Sequence, residues 1–177
     1  MTTRDRDESG RPRNARPRDA LGRPMPHDTD GVERVPDDVA LPPAESLAEA
    51  QRLIDAGRAF NAHEVLEGTW KAAPEPEREL WRGLAQLAVG ITHAQRGNTP
   101  GAVGLLQRAA DRIEPYAANP PYNIAAGPLV TWARTLATQI TTSGLPALTP
   151  ADLIPRLRTG PAGEDGGRGR LGPGEEG

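Results

Sequence analysis

Apolar residues recur at helical spacing through the middle of the chain, and this pattern predicts α-helices. In the first predicted helix, Leu47, Ala50 and Leu53 lie three positions apart and share one face. No alternation of apolar and polar residues persists over more than a few positions, so strands are not expected. The pattern therefore predicts an all-α fold, a small bundle of about five helices whose short connections favour antiparallel neighbours. The predicted helices cover about 44–56, 59–72, 75–96, 99–113 and 127–142.

Glycine and proline residues mark where these helices end and begin. Gly57 and Gly97 follow the first and third helical patterns, at the position where a helix commonly ends in a left-handed residue. Near the end of the bundle, Thr149 and Pro150 combine a capping side chain with proline in a first helical turn. This pair predicts a short last helical turn that ends near Leu157.

Both ends of the chain differ from the middle in composition. The chain has 20 Gly and 19 Pro, and these residues crowd into residues 1–38 and 158–177, where large apolar side chains are scarce. Segments that bury little apolar surface cannot offset the entropy lost on ordering. We therefore expect a helical bundle over residues 42–157 between two disordered tails. The first tail could alternatively serve as an interaction segment.

Charge and composition exclude several classes of protein and site. The net charge is −3, and both tails and the predicted bundle are each nearly neutral, so nucleic-acid binding is not expected. The chain has no cysteine, which excludes disulfides, thiolate catalysis and cysteine-ligated metals. No apolar run approaches the roughly 20 residues of a membrane span, and no signal-peptide core is present. A cytoplasmic protein is expected, and a homo-oligomer is possible.

Chemically useful side chains concentrate in the second predicted helix. Phe60, His63, Glu67 and Trp70 are spaced so that all four share one helical face. Glu64 lies about 100° round the helix from His63. An imidazole, two carboxylates and two aromatic rings therefore lie within three helical turns, and we take this stretch as the candidate site.

The third predicted helix carries two stripes of residues. One stripe is apolar and predicts a core face; the other contains glycines at positions 83 and 90, with Gln86 and His93 between and after them. Each glycine costs roughly 1 kcal/mol in helix propensity, so we interpret the stripe as a place where another helix approaches closely. If that helix is the second, Gln86 and His93 would lie near His63. The residues of the apolar stripe are Leu80, Leu84, Leu87 and Ile91.

These residues permit a metal site with two imidazoles and one carboxylate. His63, Glu67 and His93 would suit zinc or ferrous iron with positions open for water, and Glu64 could act as a base in a metal-dependent hydrolase. The motif is His-Glu-x-x-Glu, however, and lacks the paired imidazoles of zinc proteases. A duplicated Glu-x-x-His pattern, which marks di-iron bundles, is also missing.

Two other interpretations remain open. His63 bonded to Glu67, with Gln86 nearby, would form a satisfied polar network or the polar part of a small-ligand site. Alternatively, the domain is a helical interaction module, possibly dimeric, that presents Trp70 or Trp81 to a partner. The sequence alone does not choose between an enzyme, a structural network and an interaction module.

The same residues resemble the signature of a bacterial family, DUF309. The resemblance rests on Phe60-x-x-His63-Glu64-Val65-Leu66-Glu67-x-x-Trp70, followed by Arg82-Gly83-Leu84-x-Gln86-Leu87-Ala88-x-x-x-x-His93-x-x-x-Gly97-Asn98. It covers about residues 45–115 and implies a small helical domain of unknown function. It also implies a set of matching motif positions, but no particular reaction. The candidate cluster taken from these positions is His63, Glu64, Glu67, Trp70, Arg82, Gln86 and His93.

Overall fold

The structure, a computed structural model, describes residues 40–160. Helical segments dominate this range, and its β-type pairing is a single isolated bridge between Ile124 and Arg158. The predicted all-α fold is therefore confirmed. The tail predicted at 1–38, and most of the tail predicted from 158 onward, lie outside the described residues. The five helices are α1 (Pro43–Asp55), α2 (Ala59–Ala72), α3 (Glu75–Gln95), α4 (Thr99–Ile113) and α5 (Ala126–Ser143).

Helix ends follow the glycine and proline signals of the sequence. Gly57 and Gly97 have φ angles of 75° and 79°, in the left-handed region that glycine adopts without steric cost. Pro100 lies in the first turn of α4, and the Asn98 side chain caps that turn by accepting a hydrogen bond from the backbone N–H of Gly101 at 3.1 Å. These local signals explain why the predicted helix bounds agree closely with the observed ones.

Each helix packs chiefly against its neighbours in sequence, so that α2, α3, α4 and α5 form a series and α1 covers α2. The apolar faces predicted for α1 and α3 are buried. Two large apolar residues of the later helices are only partly buried, Leu105 on α4 and Trp132 on α5. The buried face of α4 instead includes Ala110, which lies on the side of the helix away from Leu105. None of the helices in this part of the chain is both long and apolar enough to span a membrane.

The glycine stripe of α3 marks a close approach to another helix, as predicted, but that helix is α4. A Cβ atom added at Gly83 would lie 2.9 Å from Cγ1 of Ile113 and 3.1 Å from Cβ of Arg112. A Cβ atom at Gly90 would lie 3.2 Å from Cγ of Leu106. The stripe therefore joins α3 to α4, while α2 packs on a different side of α3.

Replacing Gly83 with alanine should destabilise the protein in spite of the gain in helix propensity. The gain is about 1 kcal/mol, but overpacking a close contact typically costs about 1–3 kcal/mol. We expect the free energy of unfolding, measured by urea denaturation, to fall by about 1 kcal/mol. Gly104→Ala on α4 is the matched control, since its nearest neighbour atom would be Nη2 of Arg108 at 3.7 Å, and it should stabilise by about 1 kcal/mol. Stabilisation by both substitutions would contradict the close approach.

After α5 the chain turns back across the bundle toward α1. The predicted last helical turn is confirmed as a 3₁₀ turn over Pro150–Leu153, where Thr149 and Asp152 form a capping box. The helix does not continue to Leu157 as predicted, because the backbone of Leu157 and Thr159 makes hydrogen bonds to residues 123–125 instead. This C-terminal segment closes one side of the fold.

Candidate functional site

The candidate residues of α2 form a half-buried line beside α3. The guanidinium of Arg96 lies over the Phe60 ring, 5.7 Å from its centroid, and that of Arg82 lies over the Trp70 ring at 5.5 Å. The start of α2 therefore meets the end of α3, and the two helices run antiparallel. We define the α2–α3 face as Phe60, His63, Glu67, Trp70, Arg82 and Arg96, all of which are partly buried.

At the centre of this face His63 pairs with Glu67 of the same helix. Nε2 of His63 lies 3.1 Å from a carboxylate oxygen of Glu67, and the other carboxylate oxygen lies 3.1 Å from Nζ of Lys71. The side chains of His63 and Glu67 are 23% and 33% exposed. Because an ionised carboxylate only accepts hydrogen bonds, Nε2 carries a hydrogen and donates it to Glu67. The predicted pairing of these two residues is therefore present.

The second nitrogen of His63, Nδ1, is buried and makes no hydrogen bond of ordinary geometry within residues 40–160. Burial lowers the pKa of His63 below its ordinary value of 6.5, and Lys71 acts in the same direction, against the opposing effect of Glu67 and the Phe60 carbonyl. His63 is therefore neutral at pH 7, with the proton on Nε2 and a lone pair on Nδ1.

The lowered pKa of His63 predicts a dependence of stability on pH. The unfolded chain binds a proton at His63 more readily than the folded chain, so the free energy of unfolding should fall as the pH drops below about 6.5. One such histidine changes the slope of the free energy of unfolding against pH by at most about 1.4 kcal/mol per pH unit. Urea denaturation between pH 7.5 and 5 should show a shallower slope for His63→Gln than for the wild type. An unchanged slope would mean that His63 is not desolvated.

Gln86 does not join His63, because its side chain turns toward α4. Nε of Arg112 donates to the side-chain oxygen of Gln86 at 2.9 Å, and the same guanidinium pairs with Glu79. This network ties α3 to α4. The prediction that Gln86 would approach the imidazole depended on the glycine stripe facing α2, and that assumption was wrong.

His93 lies at the turn between α3 and α4. Its Nδ1 is 2.9 Å from Nδ2 of Asn98, which can only donate, so His93 accepts this hydrogen bond and is neutral. Burial, followed by the nearby Arg96, lowers the pKa of His93 below 6.5. Among residues 40–160, no three His, Cys, Asp or Glu side chains form a group that could hold a metal ion. The predicted set of His63, Glu67 and His93 is therefore not assembled in this structure.

Comparison with known proteins finds a family that part of the chain resembles. Residues 47–105, a third of the chain, match the family model DUF309, described as a domain of unknown function. This segment is therefore similar to that family. The uncharacterized protein YpuF of Bacillus subtilis (strain 168) is 46% identical over 48 residues, which cover 27% of this chain and 28% of that protein. No solved structure matches the chain.

The DUF309 segment contains the whole α2–α3 face, and the predicted resemblance to this family is confirmed. It extends from α1 into α4, whereas α5 and the C-terminal segment lie beyond it. The matched region spans little more than a quarter of YpuF, so the comparison concerns this domain and not the whole of that protein. Neither match describes an activity.

The structure also shows where two further candidate residues, Glu64 and Trp81, lie. Glu64 accepts a weak hydrogen bond of 3.4 Å from Nδ2 of Asn61 and lies beside the α2–α3 face. Trp81, one of two tryptophans that we expected an interaction module to present, is fully buried. That part of the hypothesis is wrong, and Trp70 is the tryptophan at this face.

Sequence reasoning missed Arg96, which covers the Phe60 ring. Its spacing in the sequence could have indicated this role, because Arg96 lies one helical turn after His93, a residue that we had already taken as a candidate. A cation placed there on α3 faces the start of an antiparallel α2. The α2–α3 face therefore has an arginine over an aromatic ring at each end and a neutral histidine between them.

Proposed function

We propose that this DUF309-like domain is a protein-binding module that contacts its partner through the α2–α3 face. The arrangement at the two ends of this face is the observation that carries the proposal: Arg96 covers Phe60, and Arg82 covers Trp70. Aromatic and arginine side chains are enriched at the energetic centres of protein interfaces. Phe60 and Trp70 are ten residues apart on α2, which separates them by about 15 Å, a span suited to a protein surface.

The polar residues of the face also support a binding role over a purely structural one. His63 and Glu67 belong to the same helix, so their hydrogen bond does not hold two helices in register. The bond that ties helices together is made elsewhere, by Gln86 and Arg112. The partly exposed Glu67 carboxylate offers further acceptor positions to a partner without being required for packing.

The metal-dependent hydrolase and small-ligand interpretations have less support. A hydrolase using His63, Glu67 and His93 needs these side chains to converge, and they do not form a ligand group in the described part of the chain. Three clefts of about 560, 540 and 340 Å³ lie along the C-terminal segment, and their walls include no residue of the α2–α3 face.

Site-specific crosslinking tests this proposal. A photoreactive amino acid placed at Lys71, at the edge of the face, should crosslink the partner protein in cells, and the same label at Gln139 on α5 should not. Trp70→Ala and Arg82→Glu should each reduce the crosslinked product at least tenfold, since interface centres contribute more than about 1.4 kcal/mol. Arg82→Glu matters most because its side chain is 41% exposed and its loss leaves the core intact.

Trp132→Ala serves as the control for loss of an aromatic residue outside the face. Trp132 is partly buried on α5, and its replacement should leave the crosslinked product unchanged. Thermal unfolding of each variant must show that the fold is retained. Equal crosslinking by all variants, or crosslinking from position 139 alone, would contradict the proposed surface.

A further inference from the structure

Residues 155–159 lie in a groove between α1 and residues 123–125, with a bend at Leu157. On the α1 side, the Gln51 amide bonds to the peptide backbone at two points. Its Nε2 donates to the carbonyl of Pro155 at 3.0 Å, and its Oε1 accepts from the backbone N–H of Leu157 at 2.9 Å. A single side chain therefore recognises the backbone of the segment, as occurs in bound peptides.

On the opposite side the peptide pairs with backbone. The N–H of Ala125 donates to the carbonyl of Leu157 at 2.8 Å, and the N–H of Thr159 donates to the carbonyl of Asn123 at 2.7 Å. The bridge at Ile124 is antiparallel. The Leu157 side chain is 1% exposed and anchors the segment in the core. We name residues 155–159 the arm.

Each wall of the groove also makes contacts with the rest of the bundle. Tyr122 and Asn123 both have positive φ angles, 54° and 56°, and the Tyr122 hydroxyl donates a hydrogen bond of 3.1 Å to Glu77. The Gln51 amide also donates to Asp55 at 2.9 Å, which helps to fix its orientation. Contacts outside the arm therefore contribute to the shape of the groove.

The linker that joins α5 to the arm packs loosely against the bundle. It comprises residues 144–154, and a cleft of about 540 Å³ lies between it and the ends of α1 and α3. Its large apolar side chains are only partly buried, namely Leu145, Leu148, Leu153 and Ile154. A loosely packed linker before a well-anchored end favours detachment of that end while the bundle remains folded.

We propose that the groove is an exchangeable peptide site and that the arm of a second copy of this chain binds it, which gives an arm-exchanged dimer. A second copy is the occupant that fits best, because its arm repeats every contact that the chain makes with its own arm. The linker keeps the chain's own arm at an effective concentration of about 1 mM, so exchange should become visible only when that competition is removed. The groove is separate from the α2–α3 face, and the two proposals stand independently.

Two complementary full-length variants test this inference. Leu157→Asp disables the arm and leaves the groove, whereas Gln51→Leu disables the groove and leaves the arm. Each variant alone should sediment as a monomer, and a mixture should form a 1:1 complex in which one groove receives the other chain's arm. Fluorescence energy transfer between differently labelled variants should report the same complex. A mixture that remains monomeric at concentrations above about 1 mM, the effective concentration set by the linker, would overturn the proposal.

A peptide titration keeps the inference testable if Leu157→Asp does not fold. A capped peptide with the sequence of residues 153–160 is added to the wild-type chain, and the amide resonance of Ala125 is followed by NMR. Because an identical peptide reproduces the contact at Ala125, the amide resonance of Leu157 in the chain's own arm is followed as well, since it leaves the groove when the peptide binds. We expect a saturable shift of this resonance, with at least tenfold weaker binding when aspartate replaces the leucine of the peptide. No shift would overturn the proposal. Binding of the peptide without any mixed complex between folded variants would also overturn it, since the groove would then serve an external peptide.

Discussion

Replacing Trp81 with alanine should lower the free energy of unfolding by about 3–5 kcal/mol, as expected when a large core aromatic residue leaves a cavity. Trp81 has no exposed area and belongs to the main core cluster. Its Nε1 lies 3.3 Å from the Glu77 carboxylate, and its ring lies 6.1 Å from that of Tyr122. The substitution therefore also removes support from the loop before α5. Denaturation with urea, followed by far-UV circular dichroism, measures the effect.

Trp132→Ala provides the matched comparison for this prediction. Trp132 is partly exposed on α5, so less of its surface leaves water on folding and its loss should cost clearly less than that of Trp81. Trp81→Phe should recover part of the stability, because the phenyl ring fills part of the cavity. Equal losses for Trp81→Ala and Trp132→Ala would show that Trp81 does not occupy the centre of the core.

The buried position of Trp81 shows which features of the fold the hydrophobic pattern could predict and which it could not. Periodicity correctly predicted the five helices and the buried stripe of α3, since both depend on residues that are close in sequence. An amphipathic pattern, however, assumes a single buried face. Because α3 lies between α2 and α4, it buries a second side through its glycines, and Trp81 is enclosed with it.

The same distinction holds for the candidate site, where contacts between neighbours in sequence were predictable and contacts set by helix packing were not. The contact between His63 and Glu67 was predictable, because residues four apart on a helix are neighbours. The positions of Gln86 and His93 relative to His63 depended on which helix faces the glycine stripe, and periodicity does not contain that information. The bond between Gln51 and Leu157 joins residues 106 positions apart, so no local pattern could predict it.

The second large effect concerns a buried hydroxyl pair between α1 and α2. Oγ1 of Thr69 donates to Oγ of Ser46 at 2.5 Å, and both residues are buried. Thr69 has another acceptor, the carbonyl of Val65 one turn back at 3.2 Å, whereas Thr69 is the partner that the structure shows for the Ser46 side chain within residues 40–160. The two hydroxyls are therefore not equivalent, and removing each should have a different cost.

Thr69→Val should lower the free energy of unfolding by about 1–3 kcal/mol, because it leaves the buried Ser46 hydroxyl without a partner. Ser46→Ala should cost less, since Thr69 can still donate to the Val65 carbonyl. The double variant should be more stable than Thr69→Val alone, because replacing both partners with apolar groups removes the unsatisfied atom. Urea denaturation of the three variants forms a double-mutant cycle. Additive losses would show that the two hydroxyls do not interact. A larger loss for Ser46→Ala than for Thr69→Val would contradict the argument that the Ser46 hydroxyl depends on Thr69 for its hydrogen bond.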